Sequence, residues 1–563
     1  MPQVEIVISK RDDSFESALT GENKFYADTF IYDDEKYHIL MKGVNYTFKS
    51  DNKDINIHHI ISEYEIKGDA FLRDCRGSFA GALYDKLRMR WLVFTNHFGD
   101  QQLFYAETDE HIFISSSIFK VAEKLKLYKR NITLDNESVY QLLSYGYMCG
   151  NRTLVNEIKK VEAGQYLKIT GGAIFKEVFY SIDNTPDHTM TEDAFVEGID
   201  HYFRNAVKYE FEKDILYGFK HLVTLSGGFD SRMTVWVAND LGYKDITTVT
   251  ISQSGYLEVK IAKEVSEYLK TRWLFAALDG GGHLTDIIEE ITFRSNALYH
   301  FSGASALAMI NKFSDKNSGL IHTGLLGDVI VGTYTPAGAY DRPRSVKSTS
   351  GRLTGRFKQD ELHKYKNNET ATFYVRGING ILVNNSVLQE KSEVASPFLD
   401  VDFFNFCMSI PVKYRAYHRI YKKWVLSKYP DATRFKWEKI RAKITDRSLV
   451  IRNKIVPVRH LDRFMIEGIC HNLGMPIHNT YSKSHMNPYN YWYKTNESLR
   501  DYLQDYYRNF IDLITDATLK KDCEDMFTRG DAVEKMQVIT ILSAVKQFLP
   551  DGRLEGHAIK KSD

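Results

Sequence analysis

The sequence predicts an α/β protein in two parts: an N-terminal mixed or antiparallel sheet, then a doubly wound parallel sheet with a mainly helical C-terminal region. Three observations predict it. Short β-rich runs separated by charged or glycine-containing turns fill about the first 120 residues. From residue 221 onward, apolar strands alternate with amphipathic helices, the texture of a parallel sheet. About the last 150 residues read as helix, and residues 536–549 are apolar on most sides and belong in a core.

In the first part, residues 80–84 and 90–95 read as neighbouring strands joined by the charged turn 85–88. Asn96-His97-Phe98-Gly99-Asp100 is a turn, and 103–106 and 111–115 are further short strands. The polar run SIDNTPDHTMT, residues 181–191, carries Pro186 and is the linker, which divides the chain into residues 1–185 and 186–563. A helix follows with Phe195, Ile199, Phe203 and Ala206 on one face. Residues 221–225 form an apolar strand ending at a glycine pair, and 231–241 a helix closed by Gly242. Strand 246–251, helix 258–269 and strands 274–278 and 320–323 continue the alternation.

Composition narrows the class. The 563 residues suffice for two to four domains, and 43% apolar residues can fill their cores. Lys and Arg number 74 against 73 Asp and Glu, a balance that argues against a bulk electrostatic grip on nucleic acid or an anionic membrane. A local basic pocket for phosphates stays open. The five cysteines, Cys75, Cys149, Cys407, Cys470 and Cys523, show no zinc or redox spacing and fit a reducing compartment, so a cytoplasmic location is expected. The opening MPQVEIVISKRDDSF has no basic and apolar leader pattern, so no signal peptide is expected. No run of about 18 apolar residues predicts a membrane span.

The run LVTLSGGFDSRMTVW is the most informative stretch. A strand delivers the chain to Ser226-Gly227-Gly228, and a helix leaves from Asp230-Ser231. Glycines let backbone N–H groups turn toward a ligand, and the helix start adds positive potential, so the loop is a phosphate cradle. Ser226 and Ser231 add hydroxyl donors. Asp230, itself anionic, suits a Mg²⁺ that bridges to phosphate oxygens. From average composition, a chance S-G-G-x-D-S in such a chain is on the order of one in a thousand. A second site, Thr323-Gly324-Leu325-Leu326-Gly327-Asp328, also follows a short apolar strand. Strand C-terminal ends of a parallel sheet converge, so Asp328 is placed to share the Mg²⁺ with Asp230. The plainer alternative for Asp328 is a helix cap.

These motifs resemble the asparagine synthetase superfamily. SGGFDS looks like its pyrophosphate (PP) loop, HTGLLGDVIVGTY like its second nucleotide motif, and EVASPFLD, residues 393–400, like its Glu-x-Arg-x-Pro-Phe-Leu-Asp. Glu258 stands where an acidic residue is usual. RGSFAGALYD, HFGDQQLFY and LLSYGYMCGNRTLVNEIKKVEAGQYL resemble the family's glutaminase domain. The resemblance implies an Ntn-type, type 2 glutamine amidotransferase-like domain over 1–185 and an ATP pyrophosphatase domain over 186–563. It also implies a catalytic lysine within YPDATRFKWEKIRAK, either Lys439 or, second, Lys443. Glu393 is implied as a base or orienting acid for an amine, or else as a buried salt-bridge partner.

The departures bear on substrate. Glutamine-hydrolysing members begin Met-Cys, whereas position 2 is Pro2, and their Asn-Gly-Glu reads Lys42-Gly43-Val44. Without that thiolate the first domain is expected to be a degenerate remnant. Leu325, Val329 and Ala395 also depart from the family pattern. The expected function is a glutamine-independent ligase that uses ATP and Mg²⁺ to adenylate a small-molecule or peptide carboxylate and pass it to an amine. β-Lactam synthetases, lasso-peptide cyclases and amide-forming relatives of polysaccharide pathways are the comparable members. Asparagine synthesis from ammonia or externally supplied glutamine nitrogen, and a catalytically silent scaffold, stay open as alternatives. A homodimer or pathway partner proteins stay open as partners.

Overall fold

Period-two burial organises the first 180 residues of the computed structural model, which describes residues 2–313, 316–334, 349–358, 360–389, 391–472 and 481–549. Strands β1 (Gln3–Ser9), β2 (Phe15–Thr20), β7 (Phe104–Glu107), β8 (His111–Ser115) and β9 (Lys159–Lys160) make one antiparallel sheet in the order β2-β1-β8-β7-β9. Strands β3 (Phe30–Asp33), β4 (Tyr37–Asn45), β5 (Gly77–Asp85), β6 (Arg90–Thr95), β10 (Gln165–Thr170) and β11 (Ala173–Val178) make a second, in the order β11-β10-β6-β5-β4-β3. Val4, Ile6 and Ile8 face Leu40, Ala80, Ala82 and Val93 across the gap between the sheets. Their neighbours point outward. Ile39, Met41, Leu83 and Phe94 are buried beneath helix α1 (Lys53–Lys67), and Val7, Phe104 and Phe113 beneath α2 (Ile118–Leu127). The result is a helix–sheet–sheet–helix sandwich. A one-residue slip of any of these strands would exchange its two buried faces, which fixes the register.

Residues 181–188 carry no regular structure. Helix α3 (Asn136–Tyr145) precedes them, and α4 (Glu192–Leu216) follows, capped by Thr191, whose hydroxyl accepts from the Ala194 N–H at 3.2 Å. Phe195, Ile199, Phe203 and Ala206 are buried along one face of α4.

A second architecture starts at β12 (Lys220–Thr224) and continues through β13 (Ile246–Ser252), β14 (Arg272–Ala277), β15 (Ser318–His322) and β16 (Val394–Ala395). The order is β14-β13-β12-β15-β16, and every neighbouring pair is parallel. Helices α5 (Asp230–Asp240) and α6 (Leu257–Leu269) connect the first three strands, and the chain then crosses to the other side of β12 to lay down β15. The order therefore reverses between β12 and β15, and a crevice opens beyond their C-terminal ends.

The C-terminal region is helical except for a hairpin that sequence reading missed, β17 (Ser448–Ile451) and β18 (Lys454–Pro457). Its two-residue turn, Arg452-Asn453, has φ of 48° and 62°, the left-handed pair of a tight hairpin turn, made without the usual glycine. Helix Ala532–Phe548 is buried on most sides and packs with α3 in one core.

The two parts are joined by polar contacts. Lys213 on α4 pairs with Asp28 at 2.8 Å, both nearly inaccessible, and at the surface Arg76 pairs with Asp402 at 2.9 Å. α4 is also clamped to its sheet. Asp214 accepts from His221 on β12 and His322 on β15, each at 2.8 Å, and Glu210 lies 3.2 Å from the other nitrogen of His322. The ligand atoms of Asp214, His221 and His322 are close enough for a metal, within 4.8 Å, but the interacting nitrogens already have carboxylate partners, so the group acts as a clamp.

Candidate functional site

The loop after β12 and the loop after β15 meet at the switch point. A Cβ on Gly324 would stand 2.1 Å from the Ser231 nitrogen, and one on Gly327 would stand 2.8 Å from Asp230 Cγ, so the second loop lies directly on the first turn of α5. Asp230 lies beside the Asp328 backbone N–H, which favours its charged form. Its carboxyl is pushed up to about 8, first by burial and then by the Asp328 carboxylate facing it. Tyr421, on the helix Arg419–Lys428, steadies it by donating from Oη to Asp230 Oδ1 at 2.9 Å.

The loop itself is pre-shaped. Ser226 and Ser231 hydroxyls lie 2.9 Å apart, the Ser226 N–H donates to Ser231 Oγ at 2.9 Å, and the Gly228 N–H donates to Ser226 Oγ at 3.2 Å. The two serines therefore brace the turn. No side chain caps α5, which leaves its first-turn N–H groups without a side-chain acceptor. Arg232, fully buried, holds the loop from behind, donating to the carbonyls of Gly227, Ala432 and Lys436 at 3.3, 3.1 and 2.6 Å. Burial pushes this guanidinium down to about 9, and among the described residues it has no carboxylate partner, so it adds positive potential beneath the loop. The Glu258 carboxyl lies beside the Gly227 backbone N–H, and burial and then Glu438 push it up to about 8.

The segment 437–442 places the lysine. Glu438 N–H donates to Gly227 O at 3.1 Å, Trp437 packs its edge on Phe229 at 5.4 Å, and the Trp437 N–H closes on Ala442 O at 2.7 Å. This tight loop aims Lys439 at the second motif. Its Nζ donates to Asp328 Oδ2 at 3.2 Å and to His418 Nε2 at 3.0 Å. Burial, then Lys439, push His418 down to about 4, so it is a neutral acceptor. Leu326, Tyr417, His418 and Arg441 hold φ of 54° to 65°. Such non-glycine left-handed residues are costly, and four of them gather around one centre. Asp328 starts a widened π-type turn, Asp328–Gly332, and its side chain caps nothing, unlike the helix-cap alternative.

The structure therefore brings Ser226, Gly227, Gly228, Asp230, Ser231, Thr323, Gly324, Asp328 and Lys439 together. Thr323 binds the loop to β16, its hydroxyl donating to Ala395 O at 3.0 Å. Lys443 is exposed, and among the described residues its side chain forms no ion pair with Asp230 or Asp328. Glu393 also departs from the expected role at the amine. It sits at the entry to β16 with its side chain turned to the N-terminal sandwich, accepting from Gln101 at 2.6 Å and Asn23 at 2.8 Å. Burial pushes its carboxyl up to about 7, although Lys42 pulls the other way. Strand alternation is the reason: Ala395, two residues on, faces the same side, toward Phe25 and Val44. Tyr421, His418 and Arg232 were not anticipated.

These two loops build a crevice at the switch point of a parallel α/β sheet that is joined to a two-sheet sandwich. The chain belongs to the asparagine synthetase superfamily: a glutamine amidotransferase domain family matches residues 27–180 and an asparagine synthase family matches residues 198–377. "Asparagine synthetase [glutamine-hydrolyzing] 1" of Bacillus subtilis (strain 168) is 23% identical over 352 residues, covering 59% of this chain and 52% of the relative. "Asparagine synthetase B [glutamine-hydrolyzing]" of Escherichia coli (strain K12) is 22% identical over 294 residues, covering 46% of each. The chain thus spans about half the length of these curated relatives. A solved structure of glutamine phosphoribosylpyrophosphate amidotransferase from B. subtilis with ADP and GMP covers 49% of this chain and 85% of that one at 7% identity. Its TM-score is 0.20, too low to argue from. No described helix is long and apolar enough to cross a membrane.

Proposed function

We propose that this chain is an ATP-dependent ligase that adenylates a substrate carboxylate and transfers the acyl group to an amine. The observation that carries the proposal is the convergence of Asp230, Asp328 and Lys439 at the mouth of the braced Ser226–Ser231 turn. Two neighbouring carboxyls have one ammonium, paired with Asp328, between them and no other cation partner among the described residues, so the centre is short of positive charge, and this donor set fits Mg²⁺. A bound Mg²⁺ supplies neutralising charge to the β- and γ-phosphate oxygens.

In this reading the substrate carboxylate attacks the α-phosphorus of ATP. The bond from the α-phosphorus to the α,β-bridging oxygen breaks, that oxygen leaves with pyrophosphate, and pyrophosphate is held by the loop and the start of α5. Lys439 stabilises negative charge that grows in the transition state. An amine then attacks the acyl carbon, loses a proton and displaces AMP. The absence of an intrinsic glutaminase is supported by Pro2 and by the described thiols: burial pushes Cys75 and Cys149 up to about 12 and raises Cys407 and Cys523 as well. The side chain of Cys470 lies outside the described residues.

The test is ATP–pyrophosphate exchange screened over carboxylates. A carboxylate that supports exchange in the parent chain and none in Asp230→Ala agrees with the proposal. Unchanged exchange in Asp230→Ala removes that residue from the chemistry. A second reading, that the product is asparagine and the carboxylate therefore aspartate, is favoured by the two relatives' being asparagine synthetases. Exchange supported by aspartate above all other acids would select it.

A further inference from the structure

A cavity of about 500 Å³ opens beside Lys439 and His418, and no residue of the Ser226–Ser231 turn lines it. Its volume is that of a small-molecule pocket. Tyr334, Tyr417, Ile440 and Ile455 give it aromatic and aliphatic walls. Among the described residues that line it, the charged ones are Lys439 and Lys454, and none is an acid. Lys439 links the cavity to the second loop by donating to Asp328. Lys454 begins β18 at the hairpin turn, opposite Ile451. Asn453, the residue before it, is fixed by Tyr417, which donates from Oη to Asn453 Oδ1 at 2.9 Å. Lys454 has no carboxylate at ion-pair distance among the described residues, and it is exposed. The surrounding segment, residues 436–463, holds nine Lys and Arg against three Asp and Glu, in a chain whose net charge is +1.

We infer that this cavity binds the body of the acyl substrate, and that the substrate is an anion with an aromatic or aliphatic body and a second anionic group set against Lys454. The inference rests on the ligase reading for the word substrate, but the binding site itself does not. The reacting carboxylate lies at the Lys439 end, where the nucleotide loops converge. The remaining anionic group lies at the hairpin end, where a lone ammonium on a partly apolar wall attracts an anion more strongly than in open water. The hairpin is thereby a specificity element: it stands outside the two nucleotide loops and touches the substrate through Lys454 rather than at the reacting carboxylate.

Ligand-observed NMR titration of the full chain with three aromatic acids tests this without ATP. The probes are 4-carboxyphenylacetate, a dianion; phenylacetate, a monoanion; and 4-(aminomethyl)phenylacetate, a zwitterion. The dianion is expected to bind about tenfold more tightly than the monoanion, with the zwitterion weakest. Lys454→Met brings the dianion to the level of the monoanion, and Lys454→Glu makes the zwitterion the tightest of the three. Equal affinities in the parent chain, or an order untouched by Lys454→Glu, overturn the inference. If the dianion preference holds while no carboxylate supports ATP–pyrophosphate exchange, the ligase reading fails and the anion site stands. If exchange occurs with the preference absent, this inference alone fails.

Discussion

Asp230 is a buried carboxyl with another carboxylate in front of it, an arrangement that costs stability and is kept for use. Asp230→Asn is therefore expected to abolish ATP–pyrophosphate exchange while raising the stability of the ligand-free chain by about 0.5–2 kcal/mol, read from thermal melts. A loss of stability would mean that the carboxylate is structural. Lys439→Ala removes the ammonium bonded to Asp328 and is expected to lower turnover about 10²–10³-fold, with Lys443→Ala near the parent rate. At this scale much of the centre was legible. Ser226, Asp230 and Asp328 stand out because chemistry fixes residue types over a few consecutive positions. Tyr421 and His418 were not legible: they come from a part of the chain about 190 residues after the first loop, and nothing local marks them. Glu393 stood out by motif, but its direction depends on strand register, which its own sequence does not state.

At the scale of elements, β12, β15 and α4 hold both loops through the His221–Asp214–His322 group. Burial alone would push His322 down, but Asp214 and Glu210 hold it up at about 9. A histidine raised above its unfolded value of about 6.5 binds more protons folded than unfolded between those two values. Its contribution is complete below about pH 6.5 and is lost as pH rises through about 9. Glu210, pushed up to about 7 by burial against the opposing pull of His322, gives stability the same downward slope between about pH 4.5 and 7. Melts of the parent chain from pH 6 to 9.5 should decline on the alkaline side, and His322→Gln should flatten that decline. An equal decline in both would assign it to other groups. The hairpin β17–β18 was not legible because its turn is Arg452-Asn453 rather than a pair with glycine, although 449–456 carries β-rich residues on both sides. The parallel strands β12 to β15 were legible to within a residue or two, since each is an apolar run that ends at a glycine turn or precedes a helix; the two-residue β16 is too short to show such a pattern.

At the scale of the whole molecule, the sandwich and the parallel-sheet part share an interface of buried charge. Lys42, almost fully buried, faces Glu393 and Asp100; burial pushes it down to about 8, against their pull. Glu393→Leu leaves that ammonium without its main counter-charge and should cost about 3–5 kcal/mol, whereas the double change with Lys42→Met should recover most of it. Failure of the double change to recover would show that Glu393 acts through its bonds to Asn23 and Gln101 instead. The full chain should release no glutamate from glutamine at enzyme-like rates, because Pro2 stands in place of a nucleophile and the described thiols are held neutral by burial; such release would end the remnant-domain reading. The contact between the two parts could not be read from sequence, since Lys42, Asp100 and Glu393 are separated by long stretches of chain and only the folded interface makes them neighbours.

The most direct measurement of the central claim is a double-mutant cycle on Mg²⁺-dependent ATP binding, with Asp230→Ala, Asp328→Ala and the double variant. If both carboxylates grip one magnesium nucleotide, each single change removes most of the Mg²⁺-dependent affinity, and the double change adds little, a coupling of at least about 1 kcal/mol. Additive losses, or ATP binding indifferent to Mg²⁺ in the parent chain, would contradict the account.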